Sequence, residues 1–346
     1  MLNDPRERFI LAADVGGTNL SLALMAGAGG RVRLMRREVF RTRHEPSLAE
    51  PCARFLDSCR GEGLPVPEAL CVSGAGPVRG RTIPLTNVPW DIEAEPLERV
   101  LGIPVSLVND FAAVAYGVLL LDPADPGQLL AIPHPGGTMP EADPQGTILV
   151  VGAGTGLGVG FITREGGLAR VHASEGGHIG LPVTGEETLR LWRHLRDRFP
   201  GPPGAEAAVS GPGIAAILDF LASDAGAPTP RAREILALPA ADRPAAIALE
   251  AEDPLCRRAM ELFVELYARV CAELAAAFLP TGGIRLAGGI AAKNAPLFLE
   301  GDRFMAAFER NYRDHLDALA RSVPVHIVRD YAVSLYGAAN AVLSRS

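Results

Sequence analysis

Lysine is almost absent from these 346 residues: of the 33 lysines and arginines, only Lys293 is a lysine. A Walker A loop needs a lysine beside its glycines to reach the terminal phosphates of a nucleotide, so that class of phosphate site is excluded. Long apolar runs are missing too. FAAVAYGVLLL at 111–121 is about half of the ~20 residues that cross a bilayer, and the first residues, MLNDPRERF, are charged, so neither a membrane span nor a leader is expected and a cytoplasmic location is. The five cysteines form no CxxC pair and no even framework, the pattern of reduced thiols. The arginines are scattered in a chain of net charge −7 and pI near 5.6, which leaves no basic footprint for nucleic acid. Aromatic content of 5% beside 48% hydrophobic residues fits an ordinary α/β protein long enough for two domains.

What the chain does have is one device made twice. ILAADVGGTN at 10–19 and ILVVGAGTGLG at 148–158 are apolar strands that run straight into glycine-rich turns. Alternation resumes after each, in LSLALM and GVGFIT, so each turn is expected to join two strands of a hairpin. A dinucleotide fingerprint places GxGxxG at a strand-to-helix turn, which this is not. Glycine lets main-chain N–H groups approach a polyphosphate where a side chain would block it. The alternative, two tight hairpins and nothing more, stays open for either turn taken alone.

Three further segments carry polar side chains suited to chemistry. Asp110 follows the strand PVSLVN and precedes the helical run FAAVAYGVLL; it is either a helix N-cap or a carboxylate at a sheet edge. Glu175 and His178 flank a glycine pair in SEGGHIG, with no second histidine at metal-ligand spacing. Glu206 lies four residues before Ser210 in EAAVSGPG, where an exposed helix carboxylate would be ordinary.

The doubled turn, with Asp14 in the first and Thr155 in the second, resembles the phosphate-1 and phosphate-2 motifs of the sugar kinase, Hsp70 and actin superfamily. Within it the chain is most similar to the bacterial glucokinase family, through DVGGTN, LTNVPW, VNDFAAVAYG, GAGTGLGVG, EGGH, EAAVSGPG and LAGGI in that order. The resemblance implies an α/β chain with a two-domain ribonuclease H-like fold of the actin and hexokinase type, its mixed sheets flanked by helices. It implies a small domain from 1–110 plus 325–346, a large domain from 111–324, and an active-site cleft between them. The activity implied is transfer of the γ-phosphoryl group of ATP to the 6-hydroxyl of glucose, the first step of glycolysis, with magnesium.

By the same resemblance Asp110 is the catalytic base, and Asn87, Asn109, Glu175, His178 and Glu206 join it around the sugar. Gly16, Gly17, Thr18 and Asn19 of the first turn and Gly152, Gly154, Thr155 and Gly156 of the second would hold the nucleotide phosphates. Ser210, Gly211, Gly213, Gly288 and Gly289 would border the adenosine. Asp14 would orient magnesium through water, as suits an ion slow to dehydrate. A homodimer is usual among similar enzymes.

Rival readings are another hexose or aminosugar kinase, a non-catalytic sugar sensor, and an actin-like or Hsp70-like machine; ADP or polyphosphate could also replace ATP as donor. Sensors in the related repressor family carry an N-terminal helix-turn-helix, for which a first strand starting near residue 9 leaves no room. The related repressor-type kinases also carry a cysteine-rich zinc site after the EGH-type motif, and no cysteine occurs between Cys71 and Cys256.

Overall fold

The computed structural model describes residues 7–28, 30–85, 88–330 and 332–344. Two compact units emerge: Met1–Asp122 with Asp330–Ser346, and Pro123–Arg329. The units therefore divide the chain at other points than the expected 110/111 and 324/325. The helix that begins at Asp110 packs in the first unit, and the strand Val325–Val328 is paired inside the second.

In the first unit β1 (Arg8–Val15), β2 (Asn19–Ala28) and β3 (Arg31–Arg41) run antiparallel, and helix α1 spans Ala49–Gly61. Next come β4 (Ala69–Gly74), a two-stranded ribbon of β5 (Thr82–Ile83) and β6 (Ile92–Glu93), helix α2 (Ala94–Leu101), β7 (Val105–Asn109) and α3 (Asp110–Val118). The sheet order is β3-β2-β1-β4-β7, with β4 parallel to both β1 and β7. β1 is apolar at nearly every position because both its faces are covered. Leu11, Ala13 and Val15 join the core that includes Cys52, Phe55, Leu56 and Cys59 of α1, while Ile10 and Ala12 pack with the last helix, Val333–Leu343. Gly337 of that helix sits so close to α3 that a Cβ would lie 1.7 Å from the Ala113 carbonyl, and one on Gly117 would lie 2.1 Å from that of Val333. Only glycine permits such a crossing.

The second unit repeats the plan. β8 (Leu129–Ile132) precedes the hairpins of β9 (Ile148–Ala153), β10 (Leu157–Glu165) and β11 (Leu168–Ser174). Helices α4 (Glu186–Arg196), α5 (Gly211–Asp224), α6 (Pro230–Leu236), α7 (Arg243–Leu249) and α8 (Pro254–Phe278) follow, then β12 (Gly283–Ala287). Four short helices, α9 (Gly289–Lys293), α10 (Ala295–Leu299), α11 (Arg303–Glu309) and α12 (Asp314–Arg321), lead to β13 (Val325–Val328). The sheet order is β11-β10-β9-β12-β13-β8. Residues 122–146, rich in proline, glycine and aspartate, nonetheless supply an edge strand, β8, antiparallel to β13. α8 starts where Asp253 accepts from the N–H groups of Leu255 and Cys256, and it buries Phe263, Tyr267 and Cys271 against the sheet.

All five cysteines are free and buried, and burial pushes the Cys52 thiol up to about 12. No helix among the described residues is long and apolar enough to cross a membrane.

Candidate active site

Three parallel strands of the first unit end in register. Asp14 pairs with Ser73 across β1 and β4, and Gly74 pairs with Asn109 across β4 and β7. Asp14 and Asp110 are thereby carried to the same C-terminal edge of one sheet, where open α/β sheets place their ligands.

Asp14 is braced from both sides: its Oδ1 accepts from the Ser73 hydroxyl at 2.9 Å and its Oδ2 from the Ser334 hydroxyl at 2.7 Å. Neither serine belonged to the expected set, since Ser334 comes from the last helix and only the fold brings it near. The first glycine turn closes through Gly16 N–H to the Asn19 carbonyl at 3.0 Å, and the buried Thr42 clamps it by donating to the Gly16 carbonyl at 2.8 Å. Among the described residues the N–H groups of Gly17 and Thr18 have no acceptor within the protein. Two consecutive free N–H groups at a strand end suit an anion. Asn19 instead accepts from Arg41 at 3.2 Å.

Asn109, not Asp110, is the N-cap of α3. Its Oδ1 accepts from Phe111 N at 2.9 Å and Ala112 N at 3.2 Å, while Nδ2 donates to the Gly76 carbonyl at 3.2 Å. Its acceptor is thus already engaged, so the amide orients the strand-to-helix corner as well as offering a remaining N–H. Asp110 becomes the first helical residue, with Oδ1 accepting from Phe111 N at 2.8 Å. Burial raises the Asp110 carboxyl from 3.8 to about 6, outweighing the Phe111 hydrogen bond, and the Asp14 charge adds to the rise. Asn87 lies outside the described residues.

In the second unit the glycine turn closes through Gly154 N–H to the Gly156 carbonyl at 2.8 Å, and Thr155 stands exposed at its tip. Among the described residues the N–H groups of Thr155 and Gly156 lack an acceptor, as at the first turn. Three segments hold this turn. Glu206 Oε2 accepts from Leu157 N at 2.8 Å, the first residue of α5 donates from Gly211 N to the Gly154 carbonyl at 2.7 Å, and Gly288, at φ +87°, approaches so closely that its Cβ would meet the Ala153 carbonyl at 2.7 Å. Gly289 opens α9 directly after it, and Gly152 lies in β9 opposite Gly158. Ser210 caps α5 by accepting from Gly213 N at 3.0 Å and donating to the Glu206 carbonyl at 2.8 Å; it is 2% exposed, so its side chain is structural. Gly213 is required because a Cβ would lie 2.3 Å from the Ala208 carbonyl.

Glu175 and His178 stand together in solvent, Oε2 to Nε2 at 3.7 Å, with the glycines between them buried. A Cβ on Gly177 would lie 1.8 Å from the Leu157 carbonyl, so the EGGH corner packs on the strand leaving the second turn. Thr155, His178, Glu206 and Ser210 line one open cavity of about 580 Å³, walled by Phe199 and Pro202. A buried tyrosine missed by sequence reasoning anchors the strand into this turn. Tyr267 donates to the Val151 carbonyl at 2.9 Å and accepts from Ala153 N at 3.3 Å.

Duplicated strand-turn-strand units, each with free N–H groups at its glycine turn, are the pattern of the sugar kinases of the actin and hexokinase fold. A glucokinase family model matches residues 11–345. The glucokinase of Nostoc sp. is 34% identical over 95% of this chain and 97% of its own, and that of Synechocystis sp. 35% over 95% and 96%. Among solved structures, a glucokinase from an Antarctic psychrotroph superposes with a TM-score of 0.80 at 27% identity, covering 97% of this chain and 98% of that one. A glucokinase of the ROK family from Streptomyces griseus, solved with glucose and AMPPNP, shares the fold at a TM-score of 0.63 and 20% identity over 96% and 98%. The chain belongs to the glucokinase family. It is an ATP-dependent hexose kinase that phosphorylates glucose.

Proposed function

We propose that Asp110 accepts the proton of the glucose 6-hydroxyl as the γ-phosphoryl group of ATP is transferred to that oxygen. Phosphoryl transfer passes through a loose transition state, so the protein mainly positions groups and a carboxylate suffices as base. The observation that carries the reading is the Asp110 carboxyl itself, held at a sheet edge and raised to about 6 by burial. A base of that strength is ionised at neutral pH yet basic enough to take a proton late in the transfer.

The remaining Asn109 N–H, Glu175, His178 and Glu206 are proposed to bind the other sugar hydroxyls, with Asn87 beside them. The free N–H groups at Gly17, Thr18, Thr155 and Gly156 would receive phosphate oxygens, Gly16, Asn19, Gly152 and Gly154 shaping the two turns. The backbone of Ser210, Gly211 and Gly213, with Gly288 and Gly289, would border the adenosine.

Asp14 fits magnesium held through water. It is one carboxylate with both oxygens oriented by serine hydroxyls, each oxygen keeping further lone pairs for metal-bound water. The ion would neutralise phosphate charge, which no lysine of the turns can do. The large unit is taken as 123–329 and the small one as the rest, following the two compact units. A homodimer in the cytoplasm completes the proposal. The test is a sugar and donor panel: glucose with ATP and magnesium should give glucose 6-phosphate fastest, and equal turnover of an aminosugar, or with ADP or polyphosphate, would displace this assignment.

A further inference from the structure

The second unit holds another open cavity, of about 570 Å³, that shares no lining residue with the one at the glycine turn. Thr184, Arg269, Arg303, Arg310, Asn311 and Tyr312 line it. Three guanidiniums gather here in a protein of net charge −7. Arg303 is answered by Glu261 at 3.0 Å, and its Nη1 lies 3.5 Å from Glu300 Oε2 without a formed hydrogen bond. Glu265, the one carboxylate in the lining, is already bound by Arg258 at 2.9 Å and lies 3.9 Å from Arg303.

Arg269 and Arg310 are different. Arg269 projects from α8 and its Nη1 donates to the carbonyls of Ala307, at 3.2 Å, and Arg310, at the C-terminal end of α11. That cap anchors the guanidinium. Its Nε is buried and has no acceptor. Burial lowers the Arg269 pKa most; the Glu273 charge works against it, the nearby Arg310 charge lowers it again, and Asp317 offsets a little. Arg310 is exposed and pairs with no carboxylate among the described residues. Capping a helix needs one guanidinium, whereas a second like charge beside it is unfavourable until an anion is shared between them. Neutral hydrogen-bonding groups stand around the pair: the Thr184 hydroxyl, the Asn311 amide and the Tyr312 phenol, a residue 83% exposed with Arg313 over its ring at 5.6 Å.

We propose that this cavity is a second anion site that binds a small polyhydroxylated phosphate monoester. The exposed guanidinium of Arg310 and the Nη2 that Arg269 leaves uncommitted can both donate to a dianionic phosphate, whose oxygens accept from each. Thr184, Asn311 and Tyr312 provide donors and acceptors for hydroxyls on the organic part.

Isothermal titration of the whole protein with ribose 5-phosphate, inorganic phosphate and ribose tests the assignment. Ribose 5-phosphate should bind, ribose should not, and inorganic phosphate should bind at least about fivefold more weakly than the ester. Arg310→Gln, at an exposed position that does not threaten folding, should weaken the ester by about tenfold or more, the size of a lost charge-assisted contact. Arg269→Gln should do the same while circular dichroism confirms the fold. Ester binding that is absent in the unaltered protein, or unchanged in Arg310→Gln, would overturn the site. Inorganic phosphate binding as tightly as the ester would overturn the monoester assignment.

Discussion

Glu206 Oε2 accepts the backbone N–H of Leu157 at 2.8 Å, so the carboxylate expected at the sugar also fixes the second glycine turn. A short motif in sequence suggested only the first task. The two can be separated. Glu206→Ala should leave the Leu157 N–H unpaired, costing about 1–3 kcal/mol and raising KM for ATP together with KM for glucose. Glu206→Gln keeps an acceptor and should recover the stability and the ATP KM, leaving a defect confined to glucose. Thermal melts and paired KM values decide, and equal instability of the two variants would refute the brace.

A Cβ on Gly156 would lie 2.5 Å from Glu206 Oε2 and 3.3 Å from its carboxyl carbon. The glycine is therefore needed for this carboxylate as well as for any phosphate. Gly156→Ala should destabilise the protein, and the loss should shrink by at least about 0.5 kcal/mol in a Glu206→Ala background, the lower range of coupling between touching residues. A double-mutant cycle by denaturant unfolding measures it. Additive losses would mean that Gly156 is constrained by something else.

Asp110 gives a pH dependence with a definite sign. Its folded pKa, about 6, lies above the ordinary 3.8, so kcat/KM should rise with pH through about 6 as the base ionises. Folding is penalised wherever the carboxylate is charged: the loss begins as pH rises above about 4 and is complete above about 6. Asp110→Asn should lower kcat by roughly 10² to 10⁴. It should also raise stability at pH 8 by something of the order of 1–3 kcal/mol, with no gain at pH 4. A variant that melted at the same temperature as the parent at both pH values would contradict the buried-carboxylate account.

Much of this was legible because the apolar strands and their glycines are local signals. Both hairpin turns and the helix behind Asp110 stand where periodicity put them. Other parts depend on contacts between distant segments. Ser334 reaches Asp14 across 320 residues of sequence, and no spacing rule could pair them. β8 is four residues long amid prolines and glycines, and only its pairing with β13 makes it a strand. Asn109 taking the N-cap that Asp110 might have held is a difference of one residue, settled by the extended backbone at Asn109, φ −63° and ψ 148°. α11 and α12, short and flanked by charged residues, carried no sequence signal strong enough to place them.

Tyr267 offers the last test, because its hydroxyl lies wholly inside the second unit, away from solvent. It donates to the Val151 carbonyl and accepts from Ala153 N, and the ladder between β9 and β12 ends at Gly152 opposite Ala287. The phenol thus bridges Val151, still paired with Leu286, and Ala153, one residue past the end of that ladder, at the point where β9 enters the turn. Tyr267→Phe keeps the ring among Phe263, Phe298 and Phe304 but takes the acceptor from the buried Ala153 N–H, costing about 1–3 kcal/mol. If the hydroxyl positions the turn, KM for ATP should rise in the variant while KM for glucose stays within about twofold. Amide hydrogen exchange should quicken at Ala153 and Gly154 and remain unchanged in β1 of the first unit. Slow exchange retained at Ala153 in a folded Tyr267→Phe protein would show that the turn holds itself without the phenol.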